Sequence, residues 1–240
     1  MSQTINTNVT SLFGQQSANK STNDLRVAMA RLSSGMRINT GKDDATGMSA
    51  AAGYEKTMRG ALIAQRMANE GLAAAQTRDG YHAQVYENLQ RIREIAVQSG
   101  GTASGTEFTV LAAENTRLLA LATAQSAFVI DSAGTTYTGA QAAATITGTG
   151  AIATVNSDID AVVAARAGYG ADMGKFASAS SALGLEASNA AGQYSSVMDT
   201  DYAVETTNMT RASIKNQAAN AMLAQANQIP QGVLALLQQR

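Results

Sequence analysis

VNSDIDAVVAARAGYGADMGKFASASSALGLEASNAAGQYSSVMDTDYAV, residues 155–204, is the stretch whose reading decides the fold. Stepping alternately by four and three from Val155 gives Ile159, Val162, Arg166, Tyr169, Met173, Phe176, Ser180, Leu183, Ala187, Ala190, Tyr194, Val197, Asp201 and Val204. Only Arg166, Ser180 and Asp201 depart from apolar or aromatic character. A seven-residue repeat sustained this long predicts one helix in coiled-coil-like packing, ~75 Å long if continuous. Gly168, Gly170, Gly174 and Gly184 oppose it by about 1 kcal/mol each when exposed in a helix interior. Either tertiary packing offsets that cost, or close helix approach is the reason for the glycines.

The two chain ends repeat the pattern without charge. Residues 1–19 and 216–239 contain no charged side chain. At the front, Ile5, Val9 and Leu12 fall at helical spacing, and Leu25, Met29 and Leu32 extend the stripe in a helix predicted over 5–32. At the back, Met222, Ala226, Ile229, Val233 and Leu236 alternate by four and three. Isolated helices of this kind are marginal in water and lack charge-pair support, so the ends need partners, most simply each other and copies of themselves. Pro230 predicts a bend near 228–231.

Between the ends, Gly35, Asn39-Thr40-Gly41 and Gly47 end the first helix. Asp43 and Asp44 are placed to cap the next rather than to bind metal, since no further oxygen ligands follow at loop spacing. A long helix over 48–98 carries Val85, Leu89, Ile92 and Ala96 and stops at Gly100-Gly101. A shorter one over 104–125 uses Phe108, Leu111, Leu118 and Ala122. Phe128-Val129-Ile130 and Thr135-Thr136-Tyr137-Thr138 flank a turn and predict a β-hairpin. Residues 139–154 read as a surface connection, with a further short strand at Thr145-Ile146-Thr147. The fold class is mainly α: a long antiparallel helical hairpin or coiled-coil bundle with a small β-hairpin at its outer tip.

Composition narrows the function. With 5% aromatic residues, no Trp and one Pro, the chain suits thin, closely packed helices better than a deep core. A net charge of -1 gives no footprint for nucleic acid or an acidic membrane, and no apolar run approaches the ~20 residues of a membrane span. Without Cys there are no disulfides or thiol chemistry. His82 is the sole histidine, on a helix with no nucleophile signature nearby, and reads as a packing or solvated residue. Gly41-Lys42 lacks a phosphate-binding glycine loop, and Met29, Met173 and Met222 read as packing residues. No catalytic residue, cofactor or metal site is expected. The first positive side chain is Lys20, so no cleaved general secretory signal is predicted. Amphipathic ends would also fit a membrane-active helical protein, but that reading expects a basic polar face.

Specific strings then add a family. INTNVTSLFGQQSANKS (5–21), RLSSGMRINTGKDDATGMS (31–49), ANEGLAAAQT (68–77), NLQRIREIAVQSG (88–100), DTDYAVETTNMTRASI (199–214) and LAQANQIPQGVLALL (223–237) resemble bacterial flagellin, over nearly all of 3–125 and 155–237. The resemblance implies a short form without large surface domains, in which 1–45 plus 200–240 pair as an inner tube layer. Residues 46–199 would form a rod layer with a hairpin near 127–138 and a surface connection near 139–154. It implies a structural subunit that polymerises into the extracellular flagellar filament for swimming and leaves the cell by type III export. The self-assembly residues would be Ile5, Val9, Leu12, Met222, Ile229, Val233 and Leu236. Implied partners are copies of the chain, filament cap and hook-junction proteins, and an export chaperone at the C-terminal region. Arg91, Ile95 and Glu114 match the family's contacts with the flagellin-sensing Toll-like receptor. A hook-filament junction protein, with similar ends, is the alternative inside that resemblance.

Overall fold

The computed structural model describes residues 7–123, 128–138 and 144–238, the side chains of 229–238 excepted. In chain order the elements are α1 (Val9–Ser34), α2 (Ala45–Gln98), α3 (Thr106–Ala122), β1 (Phe128–Val129), β2 (Thr136–Tyr137), α4 (Ile152–Met198) and α5 (Tyr202–Gln238). They divide into two compact units, residues 54–192 and residues 1–53 with 193–240.

In the middle unit α2 and α4 run antiparallel, and the seven-residue stripe is what they bury. Val155, Val162, Tyr169, Phe176 and Leu183 are all within 3% of full burial, facing Ala61, Ala64 and Ala68 at one end of α2 and Val85, Leu89 and Ile92 at the other. The stripe's polar members find polar partners. Arg166 Nε donates to Asp79 Oδ1 at 2.8 Å; Ser180 Oγ donates to Asn69 Oδ1 at 2.9 Å, while its carbonyl accepts from Gln65 Nε2. Gly170 and Gly174 have open space where a Cβ would stand, so packing elsewhere offsets their helix cost. The close approach lies on α2 instead: a Cβ on Gly71 would come 2.7 Å from Phe176 Cε1.

Gly100, with φ +78°, lets the chain turn sharply after α2. The turn is clasped to the start of α4, Ala103 N–H donating to the Gly150 carbonyl at 2.8 Å and Ile152 N–H to that of Gly101 at 3.2 Å. From there α3 returns antiparallel along α2, Arg91 meeting Glu107 and Asn88 meeting Asn115. Leu118 and Ala122 are buried and Phe108 and Leu111 pack on the same core, as their spacing predicts.

The expected hairpin is present, with Phe128 opposite Tyr137 and Val129 opposite Thr136. Its place is not the Gly100-Gly101 end of the helix pair but further back along it. There Phe128 and Tyr137 set their rings edge-on to Phe176, centroids 5.6 Å away in both cases. Tyr137 Oη donates to Asp172 Oδ1 at 2.7 Å, and Ser132 Oγ to Glu186 Oε1 at 2.5 Å. The third strand expected at 145–147 does not form. Thr147 N–H and Oγ1 bond Asp158 Oδ1 instead, and Ile146 packs on the core. Ala144 and Gly150 are buried, so this part of the connection is more than a surface loop.

In the terminal unit α1 and α5 lie antiparallel. Gly35, with φ +70°, ends α1 as its N–H reaches the Arg31 carbonyl. Asp44 Oδ1 accepts from Gly47 N–H at the head of α2, and Asp43 Oδ2 holds the loop by accepting from Asn39 N–H, Thr40 N–H and Thr40 Oγ1. The continuous helix expected through Val204 is broken: α4 ends at Met198, Asp199 bridges to Met36, and α5 restarts at Tyr202. Arg37 N–H donates to the Met198 carbonyl and Thr200 N–H to that of Gly35, and Asp201 Oδ1 accepts from Ala203 and Val204 N–H and caps the new helix. At the other end the backbone of α5 stays helical through Pro230.

Candidate assembly surface

The pairing of α1 with α5 is made by small residues. On α5, Glu205, Ala212, Ala219 and Ala226 recur every seven residues and are buried; on α1, Ser21 and Ala28 are buried at the same interval, one repeat beyond Gly14. A Cβ added at Gly14 would meet Leu223 Cγ at 3.5 Å, ordinary van der Waals contact. Amides and hydroxyls fasten the seam. Asn8 Oδ1 caps α1 by accepting from Ser11 N–H, while its Nδ2 donates across to the Ala226 carbonyl at 2.9 Å. Ser11 Oγ donates to Asn227 Oδ1 at 2.9 Å, and Asn216 Nδ2 to Thr22 Oγ1 at 2.7 Å. Near the far end the buried Glu205 carboxylate stands 3.7 Å from Arg31 Nη1.

The seam takes in Ala226 of the apolar stripe expected to join the ends, but not its large members near the chain ends that the structure describes. Val9 is 66% exposed, Leu12 57% and Met222 66%. Val9 follows Asn8, Leu12 follows Ser11 and Met222 precedes Leu223, so each is carried about 100° from a neighbour that makes the seam. Phe13, 72% exposed, joins them and was missed because it breaks the four-three spacing. Ile5 and the side chains of Ile229, Val233 and Leu236 lie outside the described residues. The signal for the true seam was a seven-residue recurrence of Gly, Ser and Ala flanked by amides, which a search for large apolar residues passes over.

A second polar face lies on α2 and α3. Arg91 donates through Nε to Glu107 Oε1 at 2.7 Å and through Nη1 to Glu94 Oε2 at 2.9 Å. Those bonds hold the guanidinium charged, and the bond from Arg91 keeps the Glu107 carboxyl below its ordinary value. Arg117 grips Glu114 with two bonds, 2.9 and 2.6 Å, and lowers that carboxyl in the same way. Ile95 does not join them on the surface; it is 8% exposed within the core of Val85, Leu89 and Leu118.

Comparison with known proteins matches both halves. A family model described as the bacterial flagellin N-terminal helical region covers residues 5–124, and one described as the C-terminal helical region covers residues 152–237. Flagellin of Salmonella muenchen is 46% identical over 120 residues, 50% of this chain and 24% of that protein. Phase 2 flagellin of Salmonella typhimurium is 45% identical over 120 residues, with the same shares, and flagellin 1 of Proteus mirabilis is 46% identical over 110 residues, 45% of this chain and 30% of that protein. The matches thus span about a quarter of the length of these relatives.

Proposed function

The chain belongs to the bacterial flagellin family, and on that premise we propose that it is a structural subunit that polymerises into the flagellar filament used for swimming. One observation carries this reading. The α1–α5 pair completes its own seam with small and amide side chains, yet leaves Val9, Leu12, Phe13 and Met222 in water. Covering such side chains stabilises a contact by about 1.5 kcal/mol or more apiece, and a concentrated set of them marks an interaction surface. The paired terminal helices form the inner layer of the polymer, residues 46–199 the outer rod layer, and the assembled protein is extracellular. Among the described residues no helix is long and apolar enough to cross a membrane. Cap and hook-junction proteins, and an export chaperone at the C-terminal region, are its further partners.

Replacing Leu12 and Met222 together with Ser tests the reading, because neither side chain belongs to the seam. The variant is expected to keep its helical circular dichroism while the concentration needed for filaments in electron micrographs rises at least tenfold. Filaments at the wild-type threshold would refute the proposal. The charged α2–α3 face supports a narrower one, that Arg91 and Glu114 contact the flagellin-sensing Toll-like receptor, with Ile95 acting only from beneath. Arg91→Ala should lower the response of a receptor reporter about tenfold, the size of a lost charged hydrogen bond; an undiminished response would remove Arg91 from that role.

A further inference from the structure

A cavity of about 120 Å³ lies where α2, α3, the 146–149 segment and the first turns of α4 meet. Leu89, Ile92, Phe108 and Ile146 make its walls largely apolar, and two buried polar side chains line it, Asn115 at 2% exposure and Asp158 at 3%. Asn115 Nδ2 is buried and has no hydrogen-bond partner. The reason lies in a row of amides. Gln84 Nε2 donates to Asn88 Oδ1 at 3.4 Å, and Asn88 Nδ2 donates to Asn115 Oδ1 at 2.8 Å. With its oxygen so engaged, Asn115 is left with a donor to offer, and native cores seldom leave such a donor unused. Asp158 Oδ1 accepts from Thr147, and a carboxylate has lone pairs to accept more.

We infer that this cavity is a binding site for a compact neutral alcohol the size of phenol. Its oxygen accepts from Asn115 Nδ2, its hydroxyl hydrogen goes to Asp158, and its ring fills the apolar remainder. Size sets the first limit: an apolar cavity of about 150 Å³ takes benzene, so the smaller volume here takes at most one six-membered ring and nothing longer. Charge sets the second. A carboxylate would meet Asp158 without a proton to share, and an ammonium would have no lone pair for Asn115. A hydroxyl offers the acceptor that Asn115 lacks and a donor that Asp158 can take.

Titration of the full chain, below its assembly threshold, with phenol and with toluene tests the site by nitrogen-15 NMR. Phenol is expected to shift the Asn115 side-chain amide signals saturably, with toluene binding about tenfold more weakly for want of the hydrogen bonds. Asn115→Leu should narrow the difference between the two ligands, with Asp158 keeping its own bond to the phenol hydroxyl. Ala112→Leu, which fills the cavity from α3, should abolish binding of both. Absence of saturable shifts, equal affinities for phenol and toluene in the unaltered chain, or undiminished binding in a folded Ala112→Leu chain would each overturn the inference. The phenol and toluene comparison requires no variant to fold.

Discussion

His82 is fully buried, and both of its ring nitrogens are employed: Nδ1 donates to the Arg78 carbonyl at 2.9 Å and Nε2 accepts from Ala144 N–H at 3.4 Å, while the ring meets Tyr169 edge-on. That tautomer is neutral, and protonation would take away the acceptor Ala144 uses. Burial pushes the imidazole below its ordinary 6.5, and the charge of Arg166 adds to it; the Arg78 carbonyl and Asp79 oppose the shift without cancelling it. A lowered native value means that the unfolded chain takes the proton first. Stability is therefore complete above about 6.5, falls as pH drops below it, and levels off only beneath the native value. The hydrogen-bonded carboxylates Asp43, Asp131, Glu107 and Glu114 are lowered from ordinary values of 3.8 or 4.5, so their losses come at lower pH. Thermal melts between pH 7.5 and 5 should show a falling midpoint, and His82→Gln should flatten the slope. Parallel slopes in the two chains would contradict this role. Position alone could assign His82 to packing, but its second partner, Ala144, is 62 residues away, and no local pattern announces it.

At the scale of elements, the spacing of α2 and α4 is set by one small residue meeting one large one. Phe176 occupies the room left by Gly71 while Phe128 and Tyr137 hold its other sides, so a methyl at Gly71 has nowhere to displace the ring. Gly71→Ala should cost about 1–3 kcal/mol. Gly170→Ala enters open space on the same helix pair and should add about 0.4–1 kcal/mol by removing freedom from the unfolded chain. Urea midpoints that moved in the same direction would disprove the distinction. The helices themselves were legible, because a four-three apolar rhythm reports burial directly: Val155, Val162, Tyr169, Phe176 and Leu183 are all in the core. What rhythm could not report was interruption. Val197 and Val204 keep the spacing on either side of Asp201, yet the helix divides there, where residues 198–200 bond to the 35–37 loop and Asp201 caps Ala203 and Val204. The hairpin could be read from Phe128 to Thr138, but not its position, which depends on Asp172, Phe176 and Glu186 far along the chain.

For the whole molecule, the family was written in the sequence strings and the interface only in part. The ends are expected to pair, and α1 and α5 do; which side chains make the pairing is hidden, because alanine and serine carry a weak hydrophobic signal whether or not they are buried. The terminal unit thus carries two separate sets of side chains, a small set joining α1 to α5 and a large set facing outward. The bond from Asn8 to Ala226 joins residues 218 apart in the chain, so a chain synthesised from its N-terminus holds α1 long before α5 exists to receive it. The pairing is a clock as well as a joint: a chain made from residue 1 onward cannot complete the two-helix surface until Ala226 and Asn227 have been made.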